Sequence, residues 1–147
     1  MNTSCLTNNL LIASDHAGFN LKKYLLTKFT TKGFKIEDMG SYSDEPVDYP
    51  DLAKDLCRKM STLPSNFGIL ICGSGIGMSI AANRYSNTRA ALCCSNEMAK
   101  LARQHNDANV LVLGSKFVTL GEALEITVTF LSTRFEGGRH IARVGKL

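Results

Sequence analysis

The densest chemistry in the sequence lies in six consecutive residues, Cys72-Gly73-Ser74-Gly75-Ile76-Gly77. They close the apolar run Phe67 to Cys72, which reads as a buried strand. Three alternate glycines after a strand let backbone N–H groups converge on an oxyanion, and the positive end of a following helix adds to that field. The same field favours a thiolate on a cysteine at the strand end, so one loop would hold both a base and an oxyanion hole. These residues also fit a plain strand-to-helix turn beside a buried cysteine. A dinucleotide site calls for G-x-G-x-x-G in the first unit. Here the spacing is G-x-G-x-G after the third strand, although Glu97 stands where a ribose-binding acid would. No Gly-Lys-Ser/Thr follows, which removes a P-loop.

Three other polar groups have spacing that suits a site. Asp15-His16 ends the first apolar run and reads either as a ligand contact or as a helix cap. His105-Asn106 falls in the polar run Arg103 to Asn109, between the expected fourth helix and fifth strand, where spacing alone reads as a surface turn. Arg139 and Arg143 flank His140 four residues apart, and would share a face if the tail were helical. On spacing alone such a face reads as solvated. No C-x-x-C or H-x-x-H cluster is present, so no metal is expected.

These groups need a frame to bring them together. Strands are expected at Asn9 to Ala13, Phe34 to Met39, Phe67 to Cys72, Arg89 to Cys94 and Asn109 to Leu113. Between and after them, helices are expected at Gly18 to Lys32, Asp51 to Met60, Met78 to Arg84, Asn96 to Gln104 and Leu120 to Leu131. Gly33 stops the first helix. From Arg134 the tail is basic and contains glycine. Alternating strands and helices imply crossover connections, hence an α/β, three-layer, Rossmann-like fold with a five-stranded parallel sheet flanked by helices. Ligands of such sheets bind beyond the carboxyl ends of the strands. Ser14 to His16, Cys72 to Gly77 and Gly114 to Lys116 are therefore the candidates.

At 147 residues the chain is expected to form one domain, and 44% apolar with 20% charged residues is ordinary globular composition. The formal charge of +4 is scattered, which suits a small anion better than a nucleic-acid backbone. No apolar stretch approaches a bilayer span, and Met1 to Asn9 has neither the basic start nor the apolar run of a signal peptide. Five cysteines (Cys5, Cys57, Cys72, Cys93, Cys94) without disulfide-framework spacing point to a reducing, cytoplasmic setting with no membrane partner.

Taken in order, Ser14 to Gly18 (SDHAG), Asp48-Tyr49-Pro50, Ile71 to Gly77, Ala81 to Arg84 (AANR), Arg103 to Asp107 (RQHND) and Glu136 to His140 (EGGRH) resemble the type B ribose-5-phosphate isomerases. Relatives acting on galactose 6-phosphate and allose 6-phosphate belong to the same group. The resemblance covers nearly the whole chain. It implies an aldose–ketose isomerase of the non-oxidative pentose phosphate pathway that uses no cofactor and shares its active site between the subunits of a homodimer, or of a tetramer built from dimers. Cys72 matches the base that moves a proton between C1 and C2, and Gly73 to Gly77, including Ile76, match the oxyanion hole. Ser74 matches the group passing a proton between the two substrate oxygens. His105 resembles the acid/base that opens the furanose ring, Asn106 a ligand of a substrate oxygen, and Asp15 a ligand of the sugar hydroxyls. His16, Arg139 and Arg143 resemble the phosphate clamp. Lys116 stands where the family often has arginine, keeping the charge but losing the fork. Met78 stands where some relatives carry a glutamate base, and Cys72 is present, which fits the cysteine mechanism. The base and the ring-opening histidine lie in one chain, favouring the ribose enzyme over six-carbon relatives. A non-catalytic nucleotide-binding module remains the alternative from another class.

Overall fold

The computed structural model describes residues 9–63 and 66–147; Cys5 and the first eight residues lie outside it. Five strands form the sheet: β1 (Leu10–Ser14), β2 (Ile36–Asp38), β3 (Phe67–Cys72), β4 (Ala90–Leu92) and β5 (Val110–Gly114). The helices are α1 (Phe19–Thr31), α2 (Tyr49–Thr62), α3 (Ile76–Ala82), α4 (Asn96–Asn106), α5 (Leu120–Ser132) and α6 (Arg139–Val144). The strand order is β2-β1-β3-β5-β4, and every pairing is parallel. All five strands therefore end at one edge of the sheet and begin at the other.

Period-two alternation along the central strands supplies two cores. Leu10, Ile12, Ile69, Ile71, Leu111 and Leu113 face Leu21, Leu25 and Phe29 of α1, Ala99 of α4 and Ile126 and Phe130 of α5. Leu11, Ala13, Leu70, Val110 and Val112 face Leu56, Cys57 and Met60 of α2 and Met78 of α3. Three layers follow, as expected. Cys72 belongs to the second core at 5% exposure, and Met78 is fully buried there.

Several expected boundaries shift. The helix expected from Met78 begins at Ile76, so two residues of the glycine motif form its first turn. The helix expected to end at Gln104 runs to Asn106 and takes His105 into its last turn, where a loop between helix and strand was expected. The tail contains α6, entered through Gly137 and Gly138 at φ of 69° and 53°, a conformation that favours glycine.

Candidate active site

At the carboxyl edge, the turn after β3 is organised around its own side chains. The Gly75 N–H donates to Cys72 Sγ at 3.2 Å, and the Ile76 N–H donates to Ser74 Oγ at 3.2 Å. Gly75 is left-handed (φ 78°) at the start of α3, which turns those amides inward. A donor aimed at sulfur stabilises negative charge on it. Burial pushes the thiols of Cys57 and Cys93 up, Cys93 to about 12. The turn after β5 stitches this loop down. The Ser115 N–H donates to the Cys72 carbonyl at 2.9 Å and the Lys116 N–H to the Gly73 carbonyl at 3.0 Å. Ser115 Oγ reaches the Ala17 carbonyl at 2.9 Å. The Lys116 side chain lies over Gly73, so that a Cβ there would stand 3.8 Å from Nζ.

Asp15 and His16 directly follow β1 beside this turn. Asp15 is buried, and its Oδ1 accepts the Gly18 N–H at 3.0 Å, closing the turn that leads into α1, whose own N-cap is Gly18 with no side-chain cap. His16 Nδ1 accepts the Val47 N–H at 3.3 Å, which assigns the ring proton to Nε2 and leaves a donor on its other nitrogen. The loop carrying Val47 is fixed at its start by Lys22. That fully buried ammonium pairs with Asp38 at 2.6 Å and also binds the Ser41 carbonyl.

The remaining expected residues gather at the amino edge. His105 and Asn106 end α4 just before β5 begins, and a network fixes that end. Arg103 donates to Asp107 at 2.8 Å, and Arg89 Nε, one residue ahead of β4, donates to the carbonyls of Asn106 (3.2 Å) and Asp107 (3.0 Å). The tail packs here too, through the Glu136 N–H ahead of α6 on the Gln104 carbonyl at 3.1 Å and through His140 of α6, whose ring stacks on His105 with centroids 4.4 Å apart. A hollow of about 260 Å³ is lined by His105, Asn106, His140 and Arg143. A wider one of about 480 Å³ adjoins it along Arg89, Ala90 and Asn106.

The expected site thus divides. Asp15, His16, Cys72, the turn from Gly73 to Gly77 and Lys116 lie together at one edge; His105, Asn106, Arg139 and Arg143 lie at the other. β5 separates the edges by five residues, about 13 Å at 3.3 Å per step. One chain does not bring the two groups onto one small molecule.

Two residues without an assigned role belong with these groups. Tyr49, at the start of α2, packs its ring against Gly77, where a Cβ would meet the hydroxyl at 2.8 Å. Its place in the Asp48-Tyr49-Pro50 motif was the available signal. His140 was expected to be structural and has no sequence signal separating it from its arginine neighbours. His105, Glu136 and His140 hold their ligand atoms within 4.8 Å of one another. Their arrangement suits a metal poorly: the imidazoles are 13° from parallel, so their lone pairs do not converge on one point.

The Ribose/Galactose Isomerase profile matches residues 10–147. The chain belongs to the ribose/galactose isomerase family. It is 42% identical over 130 residues to the ribose-5-phosphate isomerase B of Escherichia coli, covering 88% of this chain and 87% of that one. The ribose 5-phosphate isomerase of Thermotoga maritima superposes with a TM-score of 0.93 at 51% identity, covering 95% of this chain and 97% of that one. The ribose-5-phosphate isomerase B of Mycoplasma genitalium, solved with bound ribulose-5-phosphate, gives 0.91 at 45% identity, with 96% and 94% covered. Family membership, more than the glycine spacing, sets aside the nucleotide-binding alternative.

Proposed function

We propose that this chain, acting as one sugar-phosphate isomerase domain, interconverts ribose 5-phosphate and ribulose 5-phosphate at a site assembled by two copies of itself. The observation that carries the reading is the Cys72 sulfur at the mouth of the glycine turn, with an N–H donor aimed at it. The Cys72 thiolate takes the C2 proton of the open aldose and returns it to C1. The turn amides and Ser74 hold the enediolate oxygens, Ser74 passing the hydroxyl proton between them. Asp15 and Asn106 hold sugar hydroxyls, and His105 opens the furanose ring. His16 offers its Nε2–H to the phosphate beside Lys116, Arg139 and Arg143.

A twofold pair is the economical way to bring both edges together, because a symmetric interface sets the amino edge of each copy over the carboxyl edge of the other. Exposed Ile76 and Ile80, one turn apart on α3 beside the catalytic loop, supply apolar surface for it. The proposed setting is the cytosol. Cys57, Cys72, Cys93 and Cys94 are free thiols, and no helix among the described residues is long and apolar enough to cross a membrane.

Initial-rate assays with ribose 5-phosphate, allose 6-phosphate and galactose 6-phosphate test the substrate. The specificity constant is expected to be highest for ribose 5-phosphate; a higher value for either six-carbon sugar would replace this reading.

A further inference from the structure

His140 is the one residue of the short helix α6 that is buried, at 6% exposure, while Arg139, Ile141 and Arg143 around it are exposed. Its ring lies face to face with that of His105. The neighbouring carboxylate holds neither ring firmly: Glu136 Oε2 stands 4.0 Å from His105 Nε2 and 3.7 Å from His140 Nε2, beyond hydrogen-bond length. On this side His105 therefore rests on an aromatic face.

The surroundings of the His140 ring act on its charge. Burial holds the His140 imidazole below its ordinary value, and His105, Arg139 and Arg143 push the same way against the opposing pull of Glu136. These influences favour the neutral form of the His140 ring. A neutral ring face attracts a cation stacked on it, whereas two charged rings would repel.

We propose that His140 is a positioning residue for ring opening, its face setting the orientation of the His105 imidazole at the substrate. The inference rests on the reading of His105 as the ring-opening acid/base. A different role is available to His140, that of an anchor for the helix carrying Arg139 and Arg143. The two roles predict different kinetics. Loss of an anchor weakens phosphate binding, raising KM in both directions. Loss of the platform lowers kcat only where a ring must open.

The test compares initial rates on ribose 5-phosphate, which is mostly cyclic, and on ribulose 5-phosphate, which cannot close to a furanose. His140→Gln keeps bulk and polarity but removes the ring; His140→Phe keeps the ring face and removes both nitrogens. His140→Leu is a second ringless variant should the glutamine protein fail to fold, and thermal melting checks all three. The ringless variants are expected to lose roughly tenfold in kcat on ribose 5-phosphate, in line with a lost ring contact, while keeping the ribulose rate within about twofold. His140→Phe should stay within about threefold of the parent in both directions. Equal losses in the two directions, a rise in KM alone, an unchanged ratio of rates, or a phenylalanine protein as poor as the ringless ones would each overturn the proposal. His105→Asn is run beside them. If it loses the ribose direction selectively and the ringless His140 variants do not, the inference fails and the reading of His105 survives. If His105→Asn shows no selective loss, that reading falls and takes the inference with it.

Discussion

The two edges of the sheet are built differently. At the carboxyl edge, three loops are tied to one another mainly through backbone groups. Ser115 and Lys116 bond to the β3 turn, Ser115 to the β1 turn, and the sulfur of Cys72 receives an amide of its own loop. At the amino edge the side chains proposed to function project from the end of α4 and from a six-residue helix, and they meet through ring contacts and long ion-pair distances around open hollows. The contrast matches the chemistry proposed for each. Proton transfer at carbon tolerates little misplacement of the base and oxyanion donors, so these sit on the rigid lattice of strand ends. Gripping a phosphate and opening a ring tolerate long, charged side chains brought in from outside.

The largest expected effect breaks the carboxyl edge alone. Cys72→Ala should lower kcat roughly 10³-fold by removing the base, with binding of ribose 5-phosphate retained in a calorimetric titration. Near-normal turnover would remove the thiolate from the mechanism. The same variant then tests whether the edges belong to different copies. Mixed one to one with an Arg139→Ala protein and assayed at ribose 5-phosphate far below that variant's KM, half the dimers are hybrids, and one of the two sites in each is intact, so about a quarter of the parent activity at that concentration should return. If activity stays at the level of the separate variants after subunit exchange is verified, both edges serve one site within a single copy.

Breaking the amino edge should cost less and show in a different constant. Arg139→Ala removes one charge-assisted phosphate contact, worth about 1.5–3 kcal/mol, or roughly 10- to 150-fold in KM. Activity at saturation should change little, because that contact is made equally in ground and transition states. A fall in kcat with KM unchanged would place Arg139 at the reacting atoms.

How far the two edges could be read in advance differs as well. Strands β1, β3 and β5 lie within a residue of expectation, since they are central and nearly every position is buried, which writes a continuous apolar run. The outer strands β2 and β4 came out at three residues each where six were expected, because they are only partly buried and apolar residues beyond them pack outside the ladder. Helix α5 forms despite the β-branched run Ile126 to Thr129: a capping box of Thr119 and Glu122 starts it, and Ile126 and Phe130 are buried. The carboxyl-edge residues were legible because strand-end loops converge by topology. The same topology also foretold that His105 stands apart from Cys72, since the end of any helix leading into a parallel strand lies at the amino edge; family motifs read in chain order hide that. The stacking of His140 on His105 depends on how α6 folds back over α4, which no local pattern encodes.

Rigidity at the carboxyl edge can be attacked without touching a functional side chain. Gly114 ends β5 where a Cβ would stand 2.3 Å from the Ser74 carbonyl oxygen. Gly114→Ala must push the glycine turn away and is expected to destabilise by about 1–3 kcal/mol in denaturant titration. It should also lower kcat, whereas Arg139→Ala leaves the stability of the fold unchanged. Full activity in Gly114→Ala would mean that the turn tolerates displacement and that the contrast between the edges is overdrawn.

The smallest expected effect lies just past that turn, in the cap of α5. The Glu122 N–H donates to Thr119 Oγ1 at 3.2 Å, and the Thr119 N–H donates to Glu122 Oε2 at 2.7 Å. Thr119→Ala removes the first bond and should cost about 1 kcal/mol of stability near neutral pH, with kcat and KM unchanged, since the cap touches neither edge's functional groups. Those Thr119 bonds also hold the Glu122 carboxyl below its usual 4.5. A carboxyl depressed in the folded state contributes stability that is complete above its unfolded value and is lost as pH falls through the folded one. The parent protein should therefore lose this contribution as the pH drops below about 4.5, while Glu122→Gln, which has no proton to gain, loses less over the same range. The measurement is chemical denaturation at neutral and acid pH. A stability gap between the parent and Glu122→Gln that widens in the parent's favour on acidification would contradict the sign, and a fall in turnover in Thr119→Ala would show that the cap, too, belongs to the rigid frame around Cys72.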